Sequence, residues 1–90
     1  MYQPTPEQVT RARRMNGATL RQVHQFARGF FRQPRCSEPR WYYVSTLCHC
    51  YLVDVSPEDA ALALMLPVAA GTLQARNTPE GMQVRLTPCD

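Results

Sequence analysis

Apolar and polar positions fall into blocks along this chain, and each block is bounded by residues that start or stop a helix. Thr5-Pro6-Glu7-Gln8 is a helix start: Thr5 caps, Pro6 suits the first helical position, and Gln8 sits where a capping-box partner belongs. This first helix is expected to run to about Met15 and to stop at Asn16-Gly17, a left-handed terminator. Thr19-Leu20-Arg21-Gln22 repeats the cap logic. In the second helix Leu20, Val23, Ala27, Phe30 and Phe31 form an apolar stripe at helical spacing, with Arg21, Gln25, Arg28 and Arg32 on the other face. Pro34 is expected to end it, and 33–39 reads as a connecting loop.

Residues 41–53 form the most apolar stretch. Trp41, Val44, Leu47, Cys48, Tyr51 and Leu52 have helical spacing and predict a buried central helix. The aromatic and β-branched content keeps a strand open as the alternative. Ser56-Pro57-Glu58-Asp59 starts a further helix, with acidic residues in the favourable first turn, running to about Leu66 before Pro67 breaks it. Two readings compete after Pro67. Leu73-Gln74-Ala75-Arg76 and Met82-Gln83-Val84-Arg85-Leu86 alternate around Asn77-Thr78-Pro79-Glu80-Gly81, which describes a β-hairpin. Alternatively, 69–77 forms a short fifth helix followed by a loose tail.

These elements predict a mainly α, compact single domain over residues 1–90, with four or five short helices and the hairpin as an optional ending. The central helix 41–53 would be covered by the second and fourth helices. The expected core is Val23, Phe26 or Ala27, Phe30, Val44, Leu47, Leu52, Leu62, Leu66 and Leu73. The 44% hydrophobic and 19% charged composition fits a folded globule. Ninety residues build a modest core, which a homodimer would enlarge. There is no run of apolar residues long enough to span a membrane, and the first residues lack the pattern of a signal peptide. The expectation is therefore a cytoplasmic protein with reduced cysteines.

Charge changes the picture most. The chain has no lysine, and eight of its ten arginines lie in the first forty residues. Arg11, Arg13, Arg14, Arg21, Arg28, Arg32, Arg35 and Arg40 face only Glu7 and Glu38, a formal +6. From Trp41 onward, Arg76 and Arg85 stand against Asp54, Glu58, Asp59, Glu80 and Asp90, a formal −3. An uneven distribution of this kind predicts a polyanionic partner: nucleic acid, or the acidic surface of a protein. Arg11, Arg14, Arg21, Arg28, Arg32, Arg35 and Arg40 are the candidate phosphate contacts, because guanidinium forks fit phosphate and carboxylate oxygens. The plain alternative is a solvated helix surface.

Residues 57–76 have the length of two short helices and a turn. Small Ala63 suits a helix crossing, and Leu62, Leu66, Val68 and Leu73 would fill the space between the helices. The stretch resembles the helix-turn-helix of sigma-factor region four and of the replication-initiator C-terminal domain, on the Gly71-Thr72-Leu73 phrase at the start of the second helix. That resemblance implies a recognition helix presenting Thr72, Gln74 and Arg76 to DNA. Pro67 stands where those families usually place glycine. A second resemblance, to the opening two helices of phage-repressor-type helix-turn-helix proteins, covers Thr5 to Ala27, but Arg28-Gly29-Phe30-Phe31-Arg32 continues the helical stripe instead of turning.

Other chemistry is sparse. Cys36, Cys48, His49 and Cys50 supply zinc-binding atoms, but the spacing misses the common closed sites, and small buried thiols are the plainer reading. His24, beside the apolar stripe, reads as a packed or capping histidine. Trp41, Tyr42 and Tyr43 follow Arg40 directly. Aromatics beside arginine stack unpaired bases, anchor protein contacts, or simply fill core. No paired carboxylates, phosphate-binding glycine loop or nucleophile elbow suggests an enzyme, and no cofactor or metal is expected. The sequence thus favours a small DNA-binding regulator of transcription or replication. The alternative is a small protein-binding inhibitor or adaptor, phage-encoded and anti-CRISPR-like, that meets acidic patches with its arginines and anchors through Trp41 or Tyr42.

Overall fold

A computed structural model describes residues 2–32 and 39–88. The loop expected at 33–39, apart from Pro39, lies outside the described residues, as do Arg35, Cys36 and Cys89. The elements in chain order are α1 (Pro6–Arg13), α2 (Gly17–Phe30), β1 (Tyr42–Tyr43), α3 (Val44–Cys50), α4 (Pro57–Ala69), β2 (Leu73–Thr78) and β3 (Gly81–Leu86). The expectation of a mainly α fold is overturned: four helices combine with a three-stranded antiparallel sheet among the described residues.

Local chemistry explains the helix starts. The Thr5 hydroxyl accepts from the Gln8 backbone N–H at 3.2 Å, and the Thr5 N–H donates to Gln8 Oε1 at 2.8 Å, a complete capping box. Asn16 does not terminate α1 as expected. Its Oδ1 accepts from the N–H groups of Ala18 and Thr19 at 2.8 and 3.3 Å, so it caps α2, which begins earlier than Thr19. Ser56 Oγ accepts from the Asp59 N–H at 3.2 Å at the start of α4.

Pro67 does not break α4. The helix runs one more turn to Ala69 and closes with Gly71 at φ 87°. The Thr72 N–H donates to the Pro67 carbonyl and the Gly71 N–H to the Val68 carbonyl, the paired bonds of a Schellman ending. Proline has no N–H to offer the carbonyl four residues earlier, that of fully buried Ala63. His24 supplies the missing donor from α2: its Nε2 lies 2.9 Å from the Ala63 oxygen. An acceptor there requires the proton on Nε2.

The same ending removes the helix-turn-helix. After Gly71 the chain becomes a strand, so 73–78 forms no recognition helix. The alternating pattern wins because both halves of it pair: Leu73 lies opposite Leu86, Ala75 opposite Val84, and Thr78 opposite Gly81 across the Pro79-Glu80 turn. The strand order is β1-β3-β2. Residues 41–53 divide accordingly: Tyr42 and Tyr43 pair with Val84 and Gln83, and helix begins only at Val44.

The inner face of the sheet packs on α3 and α4. Leu73, Ala75 and Val84 join Val44, Leu47, Leu52, Val23, Ala27 and Phe31 in one buried cluster. The central helix is α4, not 41–53. It touches α1, α2, α3 and β2, and buries Ala60, Ala63, Leu64, Met65 and Val68. A helix covered on several sides has no single apolar stripe. That is why Leu64 and Met65 are buried while Leu62 and Leu66 are half-buried. Phe30 likewise is half-buried and Phe31 takes the core position.

Candidate nucleic-acid interface

Strand alternation sends Leu73, Ala75 and Val84 into the core, and therefore sends Gln74, Arg76, Gln83 and Arg85 to the opposite face. The register sets two cross-strand pairs on that face, Gln74 with Arg85 and Arg76 with Gln83. Both are hydrogen-bonded. Arg76 Nε donates to Gln83 Oε1 at 2.7 Å, and Arg85 Nε donates to Gln74 Oε1 at 2.8 Å. Each glutamine orients the arginine across from it.

Trp41 completes the cluster. It lies just before β1, on the side of β3 away from β2, and is half-buried. The Arg76 guanidinium carbon sits 4.2 Å from the indole centroid and that of Arg85 4.6 Å. Two cations thus share one aromatic ring, whose negative face offsets part of their mutual repulsion. Among the described residues each arginine bonds through Nε alone, and its Nη groups make no further side-chain hydrogen bond. Tyr43, opposite Gln83, adds a half-buried aromatic to the same face. Gln83 is 9% exposed, so its anchoring amide is held inside the cluster.

The helical arginines are arranged differently. Arg14 caps the C-terminal end of α1, and Arg21 and Arg28 lie exposed on α2. Arg32 follows α2 and Arg40 precedes Trp41, both exposed. Arg11 lines a shallow hollow that Glu58 and Asp59 also line. Counting bonds among the described residues, only Arg76 and Arg85 of the arginines hold a side-chain hydrogen bond.

The remaining candidates are dispersed. Thr72 is exposed at the end of α4, where its backbone serves the helix ending. Tyr42 is half-buried and packs against the core, edge-on to Phe30 and Phe31 at 4.8 and 6.1 Å between centroids. Cys48 is buried and Cys50 exposed, both on α3 with exposed His49 between them. Burial pushes the Cys48 thiol up, and the Glu58 carboxylate adds to the rise, so the thiolate form is disfavoured. Among the described residues no three His, Cys, Asp or Glu side chains gather as a metal site would require.

A hollow of about 420 Å³ between α2, α4 and the hairpin is lined by Ala27, Phe31, Leu66 and Leu73, with His24 and Arg28 among the polar residues at its wall. A surface aromatic group lies elsewhere: Tyr51, 58% exposed, stacks on Phe26 at 5.4 Å and meets Phe30 at 5.3 Å with the rings tilted by 54°. Among the described residues no helix is long and apolar enough to cross a membrane.

Sequence reasoning placed Gln74, Arg76 and Trp41 among the site residues and grouped Tyr43 with Trp41, but missed Gln83 and Arg85. The alternation of 82–86 was the available signal for Gln83 and Arg85, since a hairpin puts them beside Gln74 and Arg76. Nothing local joins Trp41 to residues more than thirty positions away. No family model matches the chain, and neither a curated protein nor a solved structure matches it.

Proposed function

We propose that the protein binds nucleic acid, with DNA as the first target, through the outer face of its sheet. One observation carries this: Arg76 and Arg85 are each fixed by a cross-strand glutamine and rest together on Trp41. Fixed guanidiniums lose little freedom when they meet a phosphate, and an adjacent aromatic suits bases. The exposed arginines of α2 and Arg40 add a diffuse positive field that raises encounter rates and salt sensitivity. A regulator acting in the cytoplasm fits this reading.

Fluorescence anisotropy of the full chain with labelled oligonucleotides, titrated across salt, is the test. Binding that persists near physiological salt with a slope reflecting several phosphates is expected. Loss of all binding once salt rises would refute it.

A second reading is a protein-docking inhibitor or adaptor, favoured by the Tyr51–Phe26–Phe30 surface group, since exposed aromatics anchor protein interfaces. It expects Tyr51→Ala to abolish the biological effect while oligonucleotide binding stays absent or unchanged.

A further inference from the structure

Resting on the nucleic-acid reading above, we infer that the sheet face takes an unpaired strand in preference to a duplex. The geometry argues against groove reading in two ways. First, a side chain that reads bases in B-DNA must reach into a major groove about 8.5 Å deep. Arg76 and Arg85 are tied down instead. Each Nε is bonded to the neighbouring strand and each guanidinium carbon lies against Trp41, so the cations spread along the surface of the sheet. Second, the major groove admits a two-stranded ribbon. Here β1 extends the sheet beyond β3, with Trp41 just before it. The cationic part of the hairpin is therefore flanked rather than free to enter a groove.

An unpaired strand has neither obstacle. Its bases are separated from a partner and can come down on a broad face, stacking on aromatic rings or on guanidinium planes. Arg76 is exposed, which leaves it open to a base or a phosphate, while Trp41 and Tyr43 supply half-buried aromatic edges. The Nη groups, which make no hydrogen bond among the described residues, meet the phosphates between successive bases. No sequence-reading pocket is required, so binding should tolerate many sequences.

Trp41 is the single tryptophan of the chain, so its emission reports this face alone. The full chain is titrated near physiological salt with an oligothymidylate and an oligouridylate of about twelve nucleotides, within the range one small domain covers. A hairpin duplex of mixed sequence is the third probe, with anisotropy followed in parallel. Single strands are expected to bind about tenfold or more tighter than the duplex and to quench Trp41. Tighter binding of oligouridylate than of oligothymidylate identifies RNA as the source and still supports the inference. Duplex binding as tight as single-strand binding overturns it, and so does single-strand binding that leaves Trp41 emission unchanged. Absence of binding to all three probes removes the nucleic-acid function itself, a separate failure. Arg76→Gln with Arg85→Gln, verified as folded by circular dichroism, is expected to lose both the quenching and the strand preference. Retention of both would overturn the site assignment.

Discussion

Arg28 and Arg76 are both exposed arginines, yet they are different chemical objects. Arg28 projects from α2, in the strongly basic half of the chain, with Arg21 along the same helix. Arg76 lies in the half whose formal charge is negative, but a glutamine and an indole hold it beside a second arginine. The basic half creates a field, whereas the acidic half contains the built site. Charge counts along a sequence locate the field. They do not locate the groups whose positions are fixed before a ligand arrives, and fixed groups give binding its geometry.

The largest expected effect is the direct test of this difference. Removing the anchored pair with Arg76→Ala and Arg85→Ala should weaken single-strand binding by on the order of a hundredfold, the scale of losing stacking and phosphate contacts together. Removing the unanchored pair with Arg21→Ala and Arg28→Ala takes away the same formal charge. It should weaken binding only a few-fold at physiological salt, where exposed charges are screened. Equal losses in the two double variants, measured by anisotropy at one salt concentration, would erase the distinction between site and field.

The helical layer has its own fixed polar contact, and it serves stability. His24→Ala strips the donor from the Ala63 carbonyl, which Pro67 cannot replace, and should cost about 1–3 kcal/mol in urea unfolding. Pro67→Ala restores an N–H at that place in the helix, so His24→Ala should cost clearly less in the Pro67→Ala background. Equal costs in both backgrounds would mean that His24 stabilises by packing alone. Oligonucleotide affinity should stay unchanged throughout, since His24 belongs to the other region.

How far this architecture could be read from the chain depended on the range of the forces involved. Capping at Thr5 and Ser56 is local and was legible from a few residues. The hairpin was legible as one of two alternatives, because its alternation is local but the choice of strand over helix rests on pairing. Pro67 misled, since the donor that replaces its missing N–H comes from His24, 39 positions from the Ala63 carbonyl it serves. The helix-turn-helix resemblance failed at Gly71, whose positive φ ends α4 and is followed by a strand. The site was half legible for the same reason. Gln74 and Arg76 were singled out, but their partners Arg85 and Gln83, and the ring of Trp41, come together only through tertiary pairing.

A finer test keeps every charge and removes one anchor. Gln83→Leu replaces a buried amide by an apolar side chain of similar size, so the fold should hold while Arg76 loses its orienting bond. Binding should weaken by about 1 kcal/mol, roughly fivefold, with an unchanged salt slope because no cation has gone. An unaltered affinity would show that Trp41 alone positions Arg76. A lowered salt slope would show that the substitution displaced the arginine altogether.

The smallest effect belongs to Arg28→Ala, and its signature is the slope rather than the affinity. An arginine that neutralises one phosphate releases about 0.7 counterion from a single strand, so its removal should lower the log–log salt slope by about that amount. Near physiological salt the affinity itself should change only about twofold, and alike for every sequence tested, because a phosphate contact carries no base information. Anisotropy titrations at four or more salt concentrations separate the slope from the intercept. A twofold loss with an unaltered slope would place Arg28 outside the bound strand's path, leaving it to act on encounter rate alone. A loss as large as that of Arg76→Ala would place it within the strand's path and extend the binding surface from the sheet onto α2.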